Sequence, residues 1–211
     1  MKKLILIGAL MLIGLSETAS ADQVYDNGVG GASGVQTAFR SDMDGNDAMA
    51  DDFVVFSTTQ VSGIQWTGTY FSTQTPQAFD DFTINIYFDD SGTPGALAES
   101  FTPGDDVNRN DSGFDVNGIS IYEYSAALDF TAIAGTQYHM SIVNDTTADP
   151  DDDWYWGLGL FGNATFSPDG GASWIPNQDV TMDFSLTAIP EPGTTIAIGL
   201  LLLTGAARRK R

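Results

Sequence analysis

Cysteine is absent from this 211-residue chain, histidine occurs once, and Lys and Arg together number only eight. Without thiols there are no disulfide staples, no thiolate metal sites and no cysteine nucleophiles. One His and no Cys are too small a donor set for a zinc centre. Phosphate contacts need clustered Lys and Arg, so the scarcity of basic residues argues against nucleic acid as a partner and against an anionic membrane surface. Phosphate loops, dinucleotide fingerprints and basic aromatic platforms are missing as well. What the chain has instead is acid: 28 Asp and Glu give a formal charge of −20 and a pI near 4.1. The length suits one ordinary domain.

Two segments frame that domain. At the start, Lys2 and Lys3 precede the apolar run Leu4 to Leu15. Ser16 to Ala21 follows, and Ala19-Ser20-Ala21 fits the small-residue rule of signal peptidase. Cleavage is expected after Ala21, making 1–21 a signal peptide. About twelve apolar residues are few for a helix that must cross ~30 Å of hydrocarbon.

At the other end stand Ile189-Pro190-Glu191-Pro192-Gly193, a mostly apolar stretch over 194–207, and Arg208-Arg209-Lys210-Arg211. Pro190 and Pro192 fix φ and bias their predecessors away from helix, so this peptide is extended and readable by a peptidase. The apolar stretch is short for a membrane helix, but the basic cluster behind it favours the cytoplasmic side. In these parts the last 23 or so residues resemble the PEP-CTERM sorting signal of Gram-negative bacteria, which is coupled to an N-terminal signal peptide. The resemblance implies export across the inner membrane, a transient C-terminal membrane helix, and processing at Pro190, Glu191 and Pro192 by an exosortase. It further implies delivery to the cell surface or the extracellular polysaccharide matrix. An ordinary single-pass C-terminal anchor is the alternative.

Between the two segments, 26 carboxylates face only Arg40 and Arg109, a formal charge near −24 for the body. Such a charge keeps a secreted protein soluble and also makes divalent cations plausible partners. The hydrophobic period here is two. Ile64, Trp66, Gly68 and Tyr70 alternate with Gln65, Thr67 and Thr69, and Phe82, Ile84, Ile86 and Phe88 alternate with Thr83, Asn85 and Tyr87. Tyr138, Met140 and Ile142, and then Met182, Phe184 and Leu186, repeat the pattern. Further strands are expected at Phe53 to Phe56, Ala96 to Phe101, Ile119 to Ser125 and Trp154 to Leu158. Turn residues at Asp89 to Gly95, Thr102 to Asp105, Ala134 to Thr136 and Ser167 to Gly171 separate these runs. Eight to ten strands without helices predict an all-β domain over 22–188, a two-sheet antiparallel sandwich of jelly-roll type. An immunoglobulin-like topology is the alternative. No internal repeat suggests a solenoid or propeller.

The body also resembles a recurrent β-sandwich of PEP-CTERM and related secreted bacterial proteins. The resemblance rests on Ala50-Asp51-Asp52-Phe53, the Phe88 to Gly95 turn, Tyr122-Glu123-Tyr124-Ser125, Ser141 to Asp145, and Trp154-Tyr155-Trp156. It implies the fold and no particular chemistry.

Calcium takes six to eight oxygens, which loop carboxylates with Asn can supply. Asp42, Asp44 and Asn46 begin like an EF-hand loop, but Asp47 stands where the turn Gly belongs and Phe53 where the bidentate Glu belongs. Asp105 to Asp111 contains Arg109. Asp145, Asp149, Asp151, Asp152 and Asp153 form the densest run. Solvated acidic loops are the competing reading of all three. Aromatic rings that stack on sugar faces are the second candidate chemistry. Trp154, Trp156 and Leu158 share one strand face and belong to the core, which leaves Tyr155 and Trp174 as candidate carbohydrate contacts. Catalysis has weaker support. His139 lies on a strand with no G-x-S-x-G element to supply its serine, and carboxyl pairs drawn from Glu99, Glu123 or the many Asp are too numerous to inform. The sequence therefore describes an exported, non-catalytic surface or matrix protein that contacts polysaccharide or calcium. A polysaccharide hydrolase and a purely structural or adhesive protein are the alternatives.

Overall fold

The computed structural model describes residues 21–27, 37–71, 76–116, 118–149, 152–159, 163–177 and 180–189. Both terminal helices expected from the sequence, with Ala19 and the Pro190-Glu191-Pro192 peptide, lie outside them, as does Asp151. The described residues form thirteen strands and no helix: β1 (Asp22–Asp26), β2 (Ala38–Arg40), β3 (Ala48–Val54), β4 (Thr59–Phe71), β5 (Phe82–Asp89), β6 (Pro94–Gly104), β7 (Asn108–Val116), β8 (Ile119–Ala132), β9 (Gln137–Asn144), β10 (Asp153–Gly157), β11 (Ala164–Ser167), β12 (Ile175–Asn177) and β13 (Phe184–Ala188).

Two antiparallel sheets result. The first is organised on the long strand β4. One of its edges pairs with β8, which pairs in turn with β7, while the other edge is shared end to end by β13 over Val61 to Trp66 and by β10 over Gly68 to Phe71. Strands β1 and β2 complete this seven-stranded sheet outside β13 and β10 respectively. The second sheet has six strands in the order β12-β11-β3-β9-β5-β6.

Alternation explains the packing. Ile64, Trp66 and Tyr70 from β4, Phe82, Ile84 and Ile86 from β5, Tyr138, Met140 and Ile142 from β9, and Phe184 and Leu186 from β13 are all buried. Side chains two apart in a strand share a face, and those faces meet between the sheets. Trp154 and Trp156 of β10 are fully buried in the same layer, as their spacing predicts, whereas Leu158 just beyond is half-buried. Trp66 stacks on Tyr124 at 5.4 Å, and Phe82 meets both Tyr124 and Trp154 edge-on. Gly68 makes room for this cluster, since a Cβ there would stand 2.6 Å from Cζ2 of Trp154.

The strand count exceeds the expected eight to ten for a physical reason. Strands β2 and β12 have three residues each, too few to display a period of two. Strand β7 begins with Asn108-Arg109-Asn110-Asp111, which by composition reads as a loop, but its backbone is held by β8 through Asn108↔Ser125 to Asp111↔Tyr122.

Candidate functional site

The strand registers give the sandwich two unlike ends. At one end Thr59 pairs with Ala132, Val54 with Gln137, and Asp22 with Ala188. At the other end the acidic segments, far apart in sequence, come together. The Asp42 amide bonds the Asp47 carbonyl and the Met43 amide bonds the Asn144 carbonyl, both at 2.9 Å. The Asp145 amide donates to the Asp81 carbonyl at 3.0 Å, and the Asp80 amide donates to Asp105 Oδ1 at 3.0 Å. The two arginines of the body are both consumed here. Arg40 Nε lies 2.7 Å from Asp47 and its Nη1 lies 3.2 Å from Asp153, while Arg109 Nη1 lies 3.1 Å from Asp80.

Within this acidic end the sequence candidates separate. Asp42 is fully buried. Its oxygens accept the Trp154 amide at 2.6 Å, the Asp44 amide at 3.0 Å and the Thr146 hydroxyl at 2.8 Å. Burial pushes its pKa up, opposed by these hydrogen bonds. The carboxylate therefore works as a tie between loops. Asp44 and Asn46 are exposed, and Asn46 takes the left-handed φ of 57° that closes the turn where a Gly would otherwise be expected. Asp145 is half-buried and accepts the Thr147 amide and hydroxyl through one oxygen. Asp149 is half-buried, with its amide on the Thr146 carbonyl. Asp153 faces Arg40. Among the described residues no three Asp, Glu or His side chains stand close enough to hold a metal ion.

Beside this end, on the outer face of the six-stranded sheet, lies a groove of about 330 Å³. Thr83, Asn85 and Tyr87 of β5 and Ser141 of β9 form its floor, and Asp81 and Asp145 stand at its acidic rim. These floor residues are the outward half of the alternation whose inward half is Phe82, Ile84 and Ile86. Asn85 Oδ1 accepts the Ser100 hydroxyl at 2.7 Å, which fixes the orientation of the side-chain amide. Burial raises the pKa of the Tyr87 hydroxyl, with the Asn85 hydrogen bond opposing, so the phenol remains neutral and able to donate. Trp174 packs against Tyr87 edge-on, with ring centroids 5.9 Å apart and an interplanar angle of 67°. Gly171 adjoins the pair, an added Cβ lying 3.5 Å from Trp174 Cζ2 and 3.6 Å from the Tyr87 hydroxyl.

Tyr155 does not join this groove. It lies on the outer face of the other sheet, opposite Arg40 and Thr69, with its ring 4.5 Å from that of Phe71. Burial and the neighbouring Asp153 raise the pKa of its hydroxyl. His139 is buried, and its Nε2 lies 2.8 Å from Asp89 Oδ1. Glu99 and Glu123 are exposed on different sheets. A larger and more open cleft, about 770 Å³, lies at the end that carries Asp22 and Ala188, and Tyr25, Asp52, Phe53 and Phe56 line it. Its polar walls are already bonded to one another, Tyr25 to the Asp52 carbonyl at 2.9 Å and Gln137 to the Asp52 carboxylate at 3.1 Å.

Comparisons with protein-family models, with curated proteins and with solved structures return no match for this chain.

Proposed function

We propose that the chain is an exported, non-catalytic β-sandwich that holds extracellular polysaccharide weakly in the groove of the six-stranded sheet. The observation that carries this reading is the Tyr87–Trp174 pair, of which Tyr87 lines the groove beside the half-buried polar side chains of Thr83 and Asn85. Aromatic rings offer a flat apolar face to the C–H side of a sugar, while amide and hydroxyl groups exchange hydrogen bonds with its hydroxyls. The volume, about 330 Å³, is at the small end for ligand sites and suits one or two sugar units of a longer chain. Carboxylates at the rim accept sugar hydroxyls and repel acidic sugars, so the reading favours a neutral glycan or one bridged by a cation.

Calcium is a second reading, favoured by the meeting of four acidic segments at one end with both arginines already engaged. Asp44 and Asp145 are the exposed and half-exposed carboxylates it would use, with Asn46 nearby. The jelly-roll description is supported by the path of the chain, which passes between the sheets at each step from β2 onward except at β5–β6, β7–β8 and β11–β12. Residues 1–21 act as signal peptide, read by signal peptidase at Ala19 and Ala21. Residues 189–211 act as the sorting segment, read by an exosortase at Pro190, Glu191 and Pro192 after transient anchoring by 194–207. The destination is the cell surface or extracellular matrix.

Affinity electrophoresis through gels that contain the producer's own polysaccharide, with calcium and with chelator, tests the binding. Retardation in both gels supports the groove alone, and retardation only with calcium supports the cation-organised form. Free migration in both would leave a structural or protein-binding role.

A further inference from the structure

We infer that the end of the sandwich opposite the acidic end docks on the lipid surface of the membrane while the chain is anchored there. The inference rests on reading the two terminal segments as membrane-inserted. It begins from one pairing. Asp22 and Ala188 are Cα partners in the antiparallel pair β1–β13, so the residue after the expected signal cleavage and the residue just before Ile189-Pro190 sit side by side. The first residue of β1 and the last of β13 therefore lie at one end of the sandwich, and a chain held in the bilayer through either terminal segment presents that end to it.

The surface there is built for such a contact. The loop after β3 and the loop after β8 meet at this end, with the Gly135 amide on the Val55 carbonyl at 3.0 Å and the Ala134 amide on Thr58 Oγ1 at 3.1 Å. They expose Phe56 at 95% and Ile133 at 52%, with Phe88 at 45% and Ile189 at 68% on neighbouring strand ends. Exposed apolar side chains also occur at the acidic end, Phe79 among them, but there they stand among converging carboxylates whose desolvation opposes a lipid contact. At the docking end Asp22, Asp90 and Asp129 are exposed, Asp26 and Asp52 line the cleft beside them, and no arginine is present, since Arg40 and Arg109 belong to the other end. With carboxylates and no cation at this end, the apolar side chains make the contact and a zwitterionic interface is selected over an anionic one. Apolar and aromatic side chains at headgroup level are the usual means of such contact. Tethering supplies the local concentration that so small a patch needs. The acidic end and the groove then face away from the membrane, toward the matrix.

The absence of cysteine makes the test clean. The full chain, carrying F56C, I133C or, at the acidic end, D44C, is labelled with an environment-sensitive fluorophore and reconstituted in phosphatidylcholine vesicles. Flotation reports anchoring, and headgroup-level spin-labelled lipid reports contact. All three positions are exposed, so the core is spared. The expected result is flotation with loss of fluorescence at positions 56 and 133 and none at 44. Flotation with no loss at 56 and 133 overturns the docking while the anchoring stands. Equal loss at all three positions overturns it too, because the domain would then lie flat. Failure to float sinks the anchoring and the docking together. If F56S/I133S slows removal of the tail in cells while the vesicle signal is absent, the face serves the processing peptidase and the lipid assignment is wrong.

Discussion

Asp51, on β3 of the six-stranded sheet, accepts the backbone amide of Met182, at the entry to β13 of the other sheet, at 2.6 Å. The same oxygen accepts the Thr181 hydroxyl and the Asn27 amide, each at 2.6 Å, and the second oxygen accepts the Asp52 amide at 2.8 Å. One fully buried carboxylate thus joins three segments across the sandwich. Burial outweighs the four hydrogen bonds and pushes its pKa up to about 7. Asp183, buried nearby in sequence with Thr67 as its hydroxyl partner, is pushed up to about 6 for the same reason.

These two groups set the direction of the pH dependence. An unfolded Asp titrates near 3.9, so between about pH 4 and pH 7 the folded state holds protons that the unfolded state has released. Their stabilising contribution is complete below about pH 4 and is lost as pH rises through 6 and 7. Self-repulsion of the acidic body has the same sign. The melting temperature should therefore be higher at pH 5 than at pH 8, by roughly 2–4 °C for each kcal/mol involved. Asp51→Asn should flatten the profile. A melting temperature that is level or rises from pH 5 to pH 8 would contradict the assignment.

The second buried cluster depends on Arg109. Its guanidinium lies 3.1 Å from Asp80, whose side chain is 3% exposed. Asp80 also accepts the Tyr70 hydroxyl and, at 3.3 Å, the Asn144 amide. Arg109→Met removes the one cation near a buried carboxylate, and loss of one partner of such a pair costs about 3–5 kcal/mol. Adding Asp80→Asn should recover much of that loss, because the uncompensated charge disappears while an acceptor for Tyr70 remains. Urea unfolding of the single and double variants measures the coupling. Additivity within about 0.5 kcal/mol would show that the two residues do not act as a pair.

Much of the fold was legible because alternation is a direct record of which side chains face the core. Trp154 and Trp156 on one face and Tyr155 on the other are found as that rule requires. The groove floor was present in the same pattern, as Thr83, Asn85 and Tyr87, but outward polar positions look alike in any strand. Only the third dimension shows which of them Trp174 and Asp145 approach. Asp42 illustrates the opposite limit. Its spacing with Asp44 and Asn46 suggests a cation loop, whereas Thr146 and Trp154, more than a hundred residues away, supply its donors. No local pattern records partners at that distance.

Gly68 offers a test of the packing itself. It occupies an inward position of β4, where alternation calls for a side chain, and the indole of Trp154 fills that space instead. A Cβ at 2.6 Å from Cζ2 requires the ring or the strand to move, and overpacking of this kind costs about 1–3 kcal/mol. Gly68→Ala should lower stability by that amount and disturb the near-ultraviolet signal of the buried tryptophans. An unchanged melting temperature would mean that the Trp154 ring is not seated against β4.

The groove and the opposite face make different claims on the two aromatic candidates. Trp174 adjoins Tyr87 at the groove, while Tyr155 packs on Phe71 across the sandwich. If sugar stacks at the groove, Trp174→Ala and Tyr87→Ala should each weaken retention in polysaccharide gels by about 1–2 kcal/mol, a factor of roughly 5–30. Tyr155→Ala should migrate like the unsubstituted protein. All three side chains are partly exposed, so thermal melting can verify that each variant is folded before migration is compared. Loss of retention with Tyr155→Ala and not with the other two would move the binding face to the seven-stranded sheet.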